Sequence, residues 1–174
     1  MDNNKSMRKW TELYGLAVVT GGKKVGTVDD FYLEPETNAV RALRIEVGVL
    51  GYRELQASAI SSIEKDRITI ANEHMLAEER TDGRLPALLV GRNLLAYKVM
   101  SEKGTSVGKV SNVLIDTSTP IALRVAAFEL SSDSRGRSGQ RRPLLDANEV
   151  TAYERDTVFI LDKAARRLSR TQSP

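Results

Sequence analysis

The sequence predicts an all-β protein of two tandem small β-barrels with short helical turns. Three observations support this: an internal repeat, apolar residues that alternate with polar ones, and turn-forming residues between the alternating segments. With 174 residues, of which 41% are hydrophobic, the chain is long enough to bury two small cores. Aromatic residues make up only 5%, which is consistent with cores filled by Val, Leu and Ile.

The repeat consists of three blocks that recur in the same order. Residues 25–28 (VGTV) recur as 107–110 (VGKV), and residues 42–45 (ALRI) recur as 122–125 (ALRV). Five positions between 55 and 70 recur with a constant offset of 90 residues. Because the offset changes only between blocks, the pattern indicates a duplicated domain with altered loops. We assign domain 1 to residues 9–72, a linker to 73–85, domain 2 to 86–163 and a basic tail to 164–174.

Each copy begins with strands joined by turns. Gly21 and Gly22 predict a two-residue hairpin, because both central positions of a type I′ turn need positive φ. Residues 35–38 close the next hairpin, and residues 116–120 do the same in copy two. Along residues 40–47 apolar side chains alternate with charged ones, which predicts a half-buried strand.

Each copy ends with a helical turn and a short strand. Residues 57–60 and 147–150 are predicted to form single helical turns, and residues 68–70 and 158–160 are short runs with β-branched residues. Five or six short strands in about 65 residues can bury their apolar face only if the sheet curls on itself. A small barrel is therefore favoured over a flat sheet.

The linker and the tail are the remaining segments. Residues 73–79 contain good helix formers and precede the breakers Gly83 and Pro86, which allows a linker helix. Residues 164–168 could extend as a short amphipathic helix, but a frayed terminus is the default expectation for a tail.

Composition argues against most kinds of catalysis. The absence of cysteine excludes disulfides, thiol catalysis and cysteine-based metal sites. The single histidine, His74, lies beside Glu73 on the linker, and we expect a solvated surface residue. Asp29 and Asp30 are neighbours on a strand, so their side chains should point to opposite faces and not act together on a substrate. We expect one of them to accept hydrogen bonds from a nearby turn, and we predict no catalytic residue, cofactor or metal.

Two basic segments lie in the second half of the chain, whose formal net charge is +3. The loop at 131–142 contains Arg135, Arg137, Arg141 and Arg142, and the tail contains Arg166, Arg167 and Arg170. The loop is rich in Gly and Ser, so we expect a mobile, solvated excursion. Because guanidinium groups bind phosphate and carboxylate in bidentate geometry, both segments are also candidate contacts for RNA, anionic lipid or an acidic protein. The loop lacks aromatic residues that would stack on bases, which argues against single-stranded RNA.

The order of these motifs resembles the PRC-barrel family. The matching residues of copy one are Gly15 and the segments 23–30, 35–37, 42–45 and 57–60. Copy two keeps Gly91, but its first hairpin loop is six residues longer and Asn112 stands where copy one has Asp30. We expect Gly26, Asp30, Gly108 and Asn112 to be structural motif residues, with Asn112 making hydrogen bonds similar to those of Asp30.

The resemblance implies an adaptor surface without catalysis. PRC-barrels occur in the H subunit of photosynthetic reaction centres, in the ribosome maturation factor RimM and in small stand-alone bacterial and archaeal proteins. We expect a cytoplasmic protein that binds another protein through strand edges or loops, with a homo-oligomer as a second mode of association. The alternative is an RNA- or ribosome-associated factor that uses the Arg-rich loop and tail. A role at an anionic membrane surface ranks third, because no apolar run approaches the 18 residues or so of a membrane helix. Since the chain also starts without the apolar stretch of a signal peptide, we expect a soluble, intracellular protein.

Overall fold

The computed structural model describes residues 6–78, 88–132 and 141–172. These residues are mostly β-strand with few helices, and two sheets curl into half-barrels, which confirms the predicted all-β class with short helical parts. The chain divides into two compact units. The first comprises Met1–Arg92 with Ile115–Val125, and the second comprises Asn93–Leu114 with Ala126–Pro174.

The first sheet is built mainly from antiparallel strands. Its strands are β2 (Ala17–Thr20), β3 (Lys23–Leu33), β4 (Val40–Glu46), β5 (Tyr52–Gln56), β6 (Ile60–Ile63), β7 (Arg67–Ile70), β8 (Leu76–Glu78) and β9 (Leu89–Val90). The strand order is β6-β7-β2-β3-β4-β5-β8, and β9 pairs with β3 beside this path. After the helical turn Ala57–Ala59, the chain continues through β6 into β7. Strand β7 then pairs in parallel with β2, which is near the start of the unit.

The second sheet repeats that strand order. Its strands are β10 (Lys98–Ser101), β11 (Ser106–Asp116), β12 (Arg124–Ser131), β13 (Leu144–Asp146), β14 (Val150–Glu154) and β15 (Thr157–Ile160), and β1 (Met7–Lys9) also pairs with β11. The order β14-β15-β10-β11-β12-β13 corresponds to β6-β7-β2-β3-β4-β5 of the first sheet. The β10–β15 pair is parallel, as β2–β7 is, and a helical turn at Ala147–Glu149 precedes β14.

The predicted turns are found in the structure. Gly21 and Gly22 have φ of +56° and +77° and join β2 to β3 through the pair Thr20–Lys23. Residues 34–39 close the β3–β4 hairpin, where the Glu34 N–H donates to the Ala39 carbonyl at 2.8 Å. In β12 the alternating pattern buries Phe128 and Leu130, whereas β3 and β4 contain consecutive buried residues near their register shifts.

Each unit has its own apolar core. In the first unit the short helix α1 (Trp10–Leu13) covers the sheet, and the rings of Trp10 and Phe31 lie 4.7 Å apart. In the second unit the core is filled chiefly by aliphatic side chains, together with Phe128. Its fully buried members include Leu94, Val99, Val113, Leu130, Leu145, Val158 and Ile160.

The allowed linker helix is not found within residues 73–78. This segment forms a single 3₁₀ turn at Glu73–Met75, which the Asn72 side chain caps by accepting from the His74 N–H at 3.0 Å. The chain then continues as β8 and pairs with β5. Helix propensity is overridden here because the ladder with β5 satisfies the backbone groups of the segment.

The expectation of a frayed tail is wrong. Residues Asp162–Gln172 form helix α3, which starts before the short helix considered at 164–168. Ala164, Ala165 and Leu168 are buried on one face of it, whereas Arg166 and Arg167 are exposed. Burial of this apolar stripe stabilises a helix that would be marginal on its own.

The counterpart of Gly15 in copy two is Ala96, not Gly91. The Gly15 N–H donates to the Val28 carbonyl, and the Ala96 N–H donates to Val110 in the same way. Both residues have positive φ, +82° and +75°. Gly91 instead begins the short helix α2 (Gly91–Leu94), which corresponds to α1. The first hairpin loop of copy two therefore has four residues (102–105), only two more than in copy one.

Candidate functional site

The side chains of Asp29 and Asp30 share the same neighbours, although the alternation of a regular strand would place them on opposite faces. The register between β3 and β4 shifts between Val28 and Asp30, so a β-bulge interrupts the alternation. Both carboxylates consequently contact the same two arginines, Arg44 of β4 and Arg92 of α2. We call these four residues the ionic cluster.

The ionic cluster places two negative and two positive side chains together in the first unit. Arg44 Nη2 lies 2.6 Å from Asp29 Oδ2 and 3.9 Å from Asp30 Oδ2. Arg92 Nη2 lies 3.2 Å from Asp29 Oδ1, and its Nε lies 3.4 Å from Asp30 Oδ2. Each carboxylate therefore faces two guanidinium groups, which offset the repulsion between the two negative charges. Asp30 Oδ2 is buried and accepts no hydrogen bond from the described residues.

The Asp30 carboxylate accepts backbone hydrogen bonds, as predicted for one of the two aspartates, but the donors lie in β3 and α2 and not in a nearby turn. It accepts from the N–H groups of Phe31 and Arg92, both at 2.9 Å. Burial raises the pKa of Asp30, although these two N–H groups and the charges of Arg92 and Arg44 oppose the rise. In the second unit Asn112 Oδ1 accepts from the Val113 N–H at 3.0 Å, as Asp30 does from Phe31.

The two motif glycines are required because the backbone passes close to a neighbouring strand. A Cβ at Gly26 would lie 2.4 Å from Ile45 Cγ2, and a Cβ at Gly108 would lie 2.3 Å from the carbonyl oxygen of Ser131. Gly108 also has φ of +126°, which L side chains rarely adopt. Glycine at these two positions therefore allows the close approach of the neighbouring strands.

The hairpin between β4 and β5 has a well-defined tip. The Val47 N–H donates to the Gly51 carbonyl at 2.7 Å, and the Leu50 N–H donates back to Val47 at 2.9 Å. Gly48 and Gly51 have φ of +48° and +78°, which a glycine adopts without strain. Arg53 Nη1 donates to the carbonyls of Leu50 and Tyr52, at 3.1 and 2.9 Å. The tip is held by hydrogen bonds at both ends.

This tip displays apolar side chains. Val49 is 103% exposed, Leu50 is 64% exposed and Tyr52 is 42% exposed. The guanidinium of Arg44 lies 4.6 Å from the centre of the Tyr52 ring, a cation–π contact. The exposed tip is therefore continuous with the ionic cluster. We call Val49, Leu50 and Tyr52 the hairpin surface.

The predicted basic loop is described only at its ends. Arg135 and Arg137 lie outside the described residues. Arg141 and Arg142 are exposed, and Arg142 Nη1 lies 3.8 Å from Glu129 Oε1. This weak ion pair places Arg142 beside β12.

The three arginines of the tail differ in their surroundings. Arg167 forms a bidentate ion pair with Glu149, with both N···O distances at 2.6 Å. That hydrogen bond to Arg167 lowers the pKa of Glu149. Arg166 and Arg170 are exposed on α3, and within the part of the chain that the structure describes neither has an acidic partner. The tail therefore contains one arginine paired with a carboxylate and two exposed arginines without such a pair.

The single histidine does not form part of a metal-binding group among the described residues. His74 is exposed, as expected for a surface histidine. Among the described residues no group of three or more His, Asp or Glu side chains could hold a metal ion. No helix in the described ranges has the length and apolar character needed to cross a bilayer.

The PRC-barrel domain model matches residues 5–74. This range covers β2 to β7 and the hairpin surface, so the first unit contains a PRC-barrel domain, a general-purpose protein-interaction module. The resemblance drawn from Gly15 and the 23–30 motif is confirmed for residues 5–74. A comparison with curated proteins finds no match.

Two features were missed by reasoning from the sequence. Arg92 was not singled out, because nothing local marks a residue whose partners lie 62 positions away. The hairpin surface did carry a signal, since Val49 and Leu50 stand between two glycines in a tight connection. Exposed apolar residues at a turn, where polar residues are usual, are typical of an interaction surface.

Proposed function

We propose that the protein is a non-catalytic adaptor that binds another protein through the hairpin surface. The observation that supports this most strongly is the exposure of Val49 and Leu50, at 103% and 64%, on a tip held by hydrogen bonds. Burial of such side chains by a partner is favourable at about 25 cal/mol per Å² of apolar area. A tip that is already ordered loses little conformational entropy on binding.

Charged and aromatic groups next to the tip fit an interface. Tyr52 and Arg44 are stacked, and Tyr and Arg are enriched among residues that dominate binding energy. Within the ionic cluster, Asp29 Oδ2 lies 2.6 Å from Arg44 Nη2 and so restrains the Arg44 side chain. The apolar centre would therefore be bordered by positioned polar groups, as is usual for interfaces.

The second unit is proposed to be a second PRC-like domain, because its sheet repeats the strand order of the first. It would enlarge the surface available to partners, with a homo-oligomer as one form of association. The proposal includes a cytoplasmic location and no enzymatic activity.

Photo-crosslinking tests this proposal. A photoreactive phenylalanine analogue at position 49 is compared with the same analogue at Ile121, which is 61% exposed in a different loop. A partner captured at position 49 is purified, and its affinity is measured for the wild type, V49S/L50S and I121S. We expect V49S/L50S to weaken binding at least tenfold and I121S to leave it unchanged. Equal affinity for all three chains would refute the proposal.

An RNA- or ribosome-associated role is the second candidate, favoured by the exposure of Arg141 and Arg142. Affinity for RNA should fall steeply with salt, because each neutralised phosphate releases counterions. Loss of the captured partner after nuclease treatment and in R141Q/R142Q would favour this candidate. Retention of the captured partner under both conditions would favour binding through the hairpin surface.

A further inference from the structure

A cleft in the second unit lies between helix α3 and the loop that joins β10 to β11. Its volume is about 270 Å³, and its polar lining includes Ser101, Lys103, Thr105, Asp162, Arg166 and Arg170. Sites for drug-sized ligands span roughly 300–1,000 Å³, so this cleft suits a small group and not a whole cofactor.

The single carboxylate of this lining is already engaged. Asp162 Oδ2 lies 3.3 Å from Lys103 Nζ, and the carboxylate also accepts from the Ser101 hydroxyl. Burial works to raise the pKa of Asp162, but these hydrogen bonds and the charge of Lys103 outweigh it and leave the pKa below its usual value. Asp162 therefore remains ionised and fixes Lys103 at the cleft, and it offsets one positive charge.

The two remaining cations are not offset. Arg166 and Arg170 lie one helical turn apart, so they occupy the same face of α3. Like charges at this spacing destabilise a helix by a few tenths of a kcal/mol. Neither arginine has an acidic partner among the residues that the structure describes, whereas Arg167 is paired with Glu149. The cleft consequently carries two uncompensated positive charges.

We propose that this cleft binds a phosphate monoester group. Two uncompensated guanidiniums match the charge of a phosphate dianion, and each can donate two parallel hydrogen bonds to its oxygens. Thr105 adds a hydroxyl to the same lining. A carboxylate ligand would neutralise only one of the two charges. The phosphate group belongs to a soluble metabolite or to a lipid headgroup.

Nuclear magnetic resonance titration of the full chain tests the site. Inorganic phosphate and glycerol 3-phosphate are added to the wild type, to R166Q/R170Q and to the matched control R141Q/R142Q. The two variants lose the same charge, and Gln is a good helix former, so α3 should stay folded. We expect saturable shifts at the amides of residues 103, 105 and 169. The affinity should fall at least tenfold in R166Q/R170Q and stay within twofold in the control.

Vesicle flotation separates the two sources of the phosphate group. Phosphatidylcholine vesicles with phosphatidic acid, which has a monoester headgroup, are compared with vesicles that carry phosphatidylserine, which has a diester. Flotation that needs phosphatidic acid and is lost only in R166Q/R170Q assigns the site to a lipid headgroup. Saturable binding of glycerol 3-phosphate without flotation assigns it to a soluble monoester. Absence of saturable shifts, or equal losses in both double variants, would overturn the proposal.

Discussion

The Asp30 carboxylate accepts a hydrogen bond from the Arg92 backbone N–H at 2.9 Å, across 62 residues of sequence. The same oxygen accepts from the Phe31 N–H. Two residues before Arg92, Val90 pairs with Tyr32 in the sheet. A single buried side chain thus fixes the chain where it returns to β3 after residues 79–87.

Replacing Asp30 by Ala or Asn should separate hydrogen bonding from charge. D30A leaves the buried N–H of Phe31 and the half-buried N–H of Arg92 without an acceptor, each at a cost of up to about 1–3 kcal/mol, so we expect a loss of about 2–4 kcal/mol. D30N keeps Oδ1 and should cost less than half of that, as Asn112 occupies the equivalent position of the second unit. Urea unfolding of both variants measures the difference. Equal losses would show that the charge of Asp30, not its acceptor oxygen, stabilises the fold.

The raised pKa of Asp30 predicts how D30N depends on pH. The folded state binds the proton of Asp30 more tightly than the unfolded state. The stability from this linkage is therefore fully present below the ordinary pKa of 3.8 and is lost as the pH rises through the folded value. From about pH 3 to about pH 7, the free energy of unfolding of D30N should rise relative to the wild type. A relative fall would mean that Arg44 and Arg92 dominate over burial.

Gly108 should tolerate alanine much less well than Gly104. Both have positive φ, but a Cβ at Gly108 would lie 2.3 Å from the Ser131 oxygen, whereas nothing lies within 4 Å of a Cβ at Gly104. We expect G104A to cost about 1–2 kcal/mol for its left-handed backbone. G108A should cost at least about 2 kcal/mol more, because it adds a steric clash. Thermal unfolding of the two variants measures this gap, and similar melting temperatures would contradict it.

Ala96 offers a stabilising substitution. It is exposed and has φ of +75°, at the position where the first unit has Gly15. A left-handed alanine costs about 1–2 kcal/mol, and the added freedom of glycine in the unfolded chain offsets about 0.4–1 of this. A96G should therefore raise the free energy of unfolding by about 0.5–1 kcal/mol, and G15A should lower it. Denaturant titration of both variants is the check, and a loss of stability in A96G would contradict the strain argument.

The Arg167–Glu149 pair predicts an acid-dependent effect. Arg167 lowers the pKa of Glu149, so the stability from this pair is present above the ordinary pKa of 4.5 and is lost as the pH falls through the folded value. Because the Arg167 side chain is 51% exposed, R167Q should cost only about 1 kcal/mol at neutral pH. The difference from the wild type should shrink with acidification. A difference that is independent of pH would indicate packing by the Arg167 stem.

Local features were determined by the sequence itself. The two-glycine turn at Gly21 and Gly22 and the turns at 57–60 and 147–150 were predicted and are found. The alternation predicted along 40–47 is found only in part, because Ala42 and Leu43 are both buried. Each depends on the conformational preferences of a few adjacent residues or on which face of a strand is apolar. The all-β class followed from these features, and the PRC-barrel resemblance followed from their order.

Only the tertiary structure decided the features that depend on distant partners. The β-bulge before Asp30 brings Asp29 to the same arginines, β5 draws residues 76–78 into the sheet, and the second core holds α3 in place. In each case the energy comes from burial or from hydrogen bonds to groups far away in the sequence, and it exceeds the local preference of the segment. Exposure is decided in the same way, because whether Val49 or Arg170 faces solvent depends on what the rest of the chain covers.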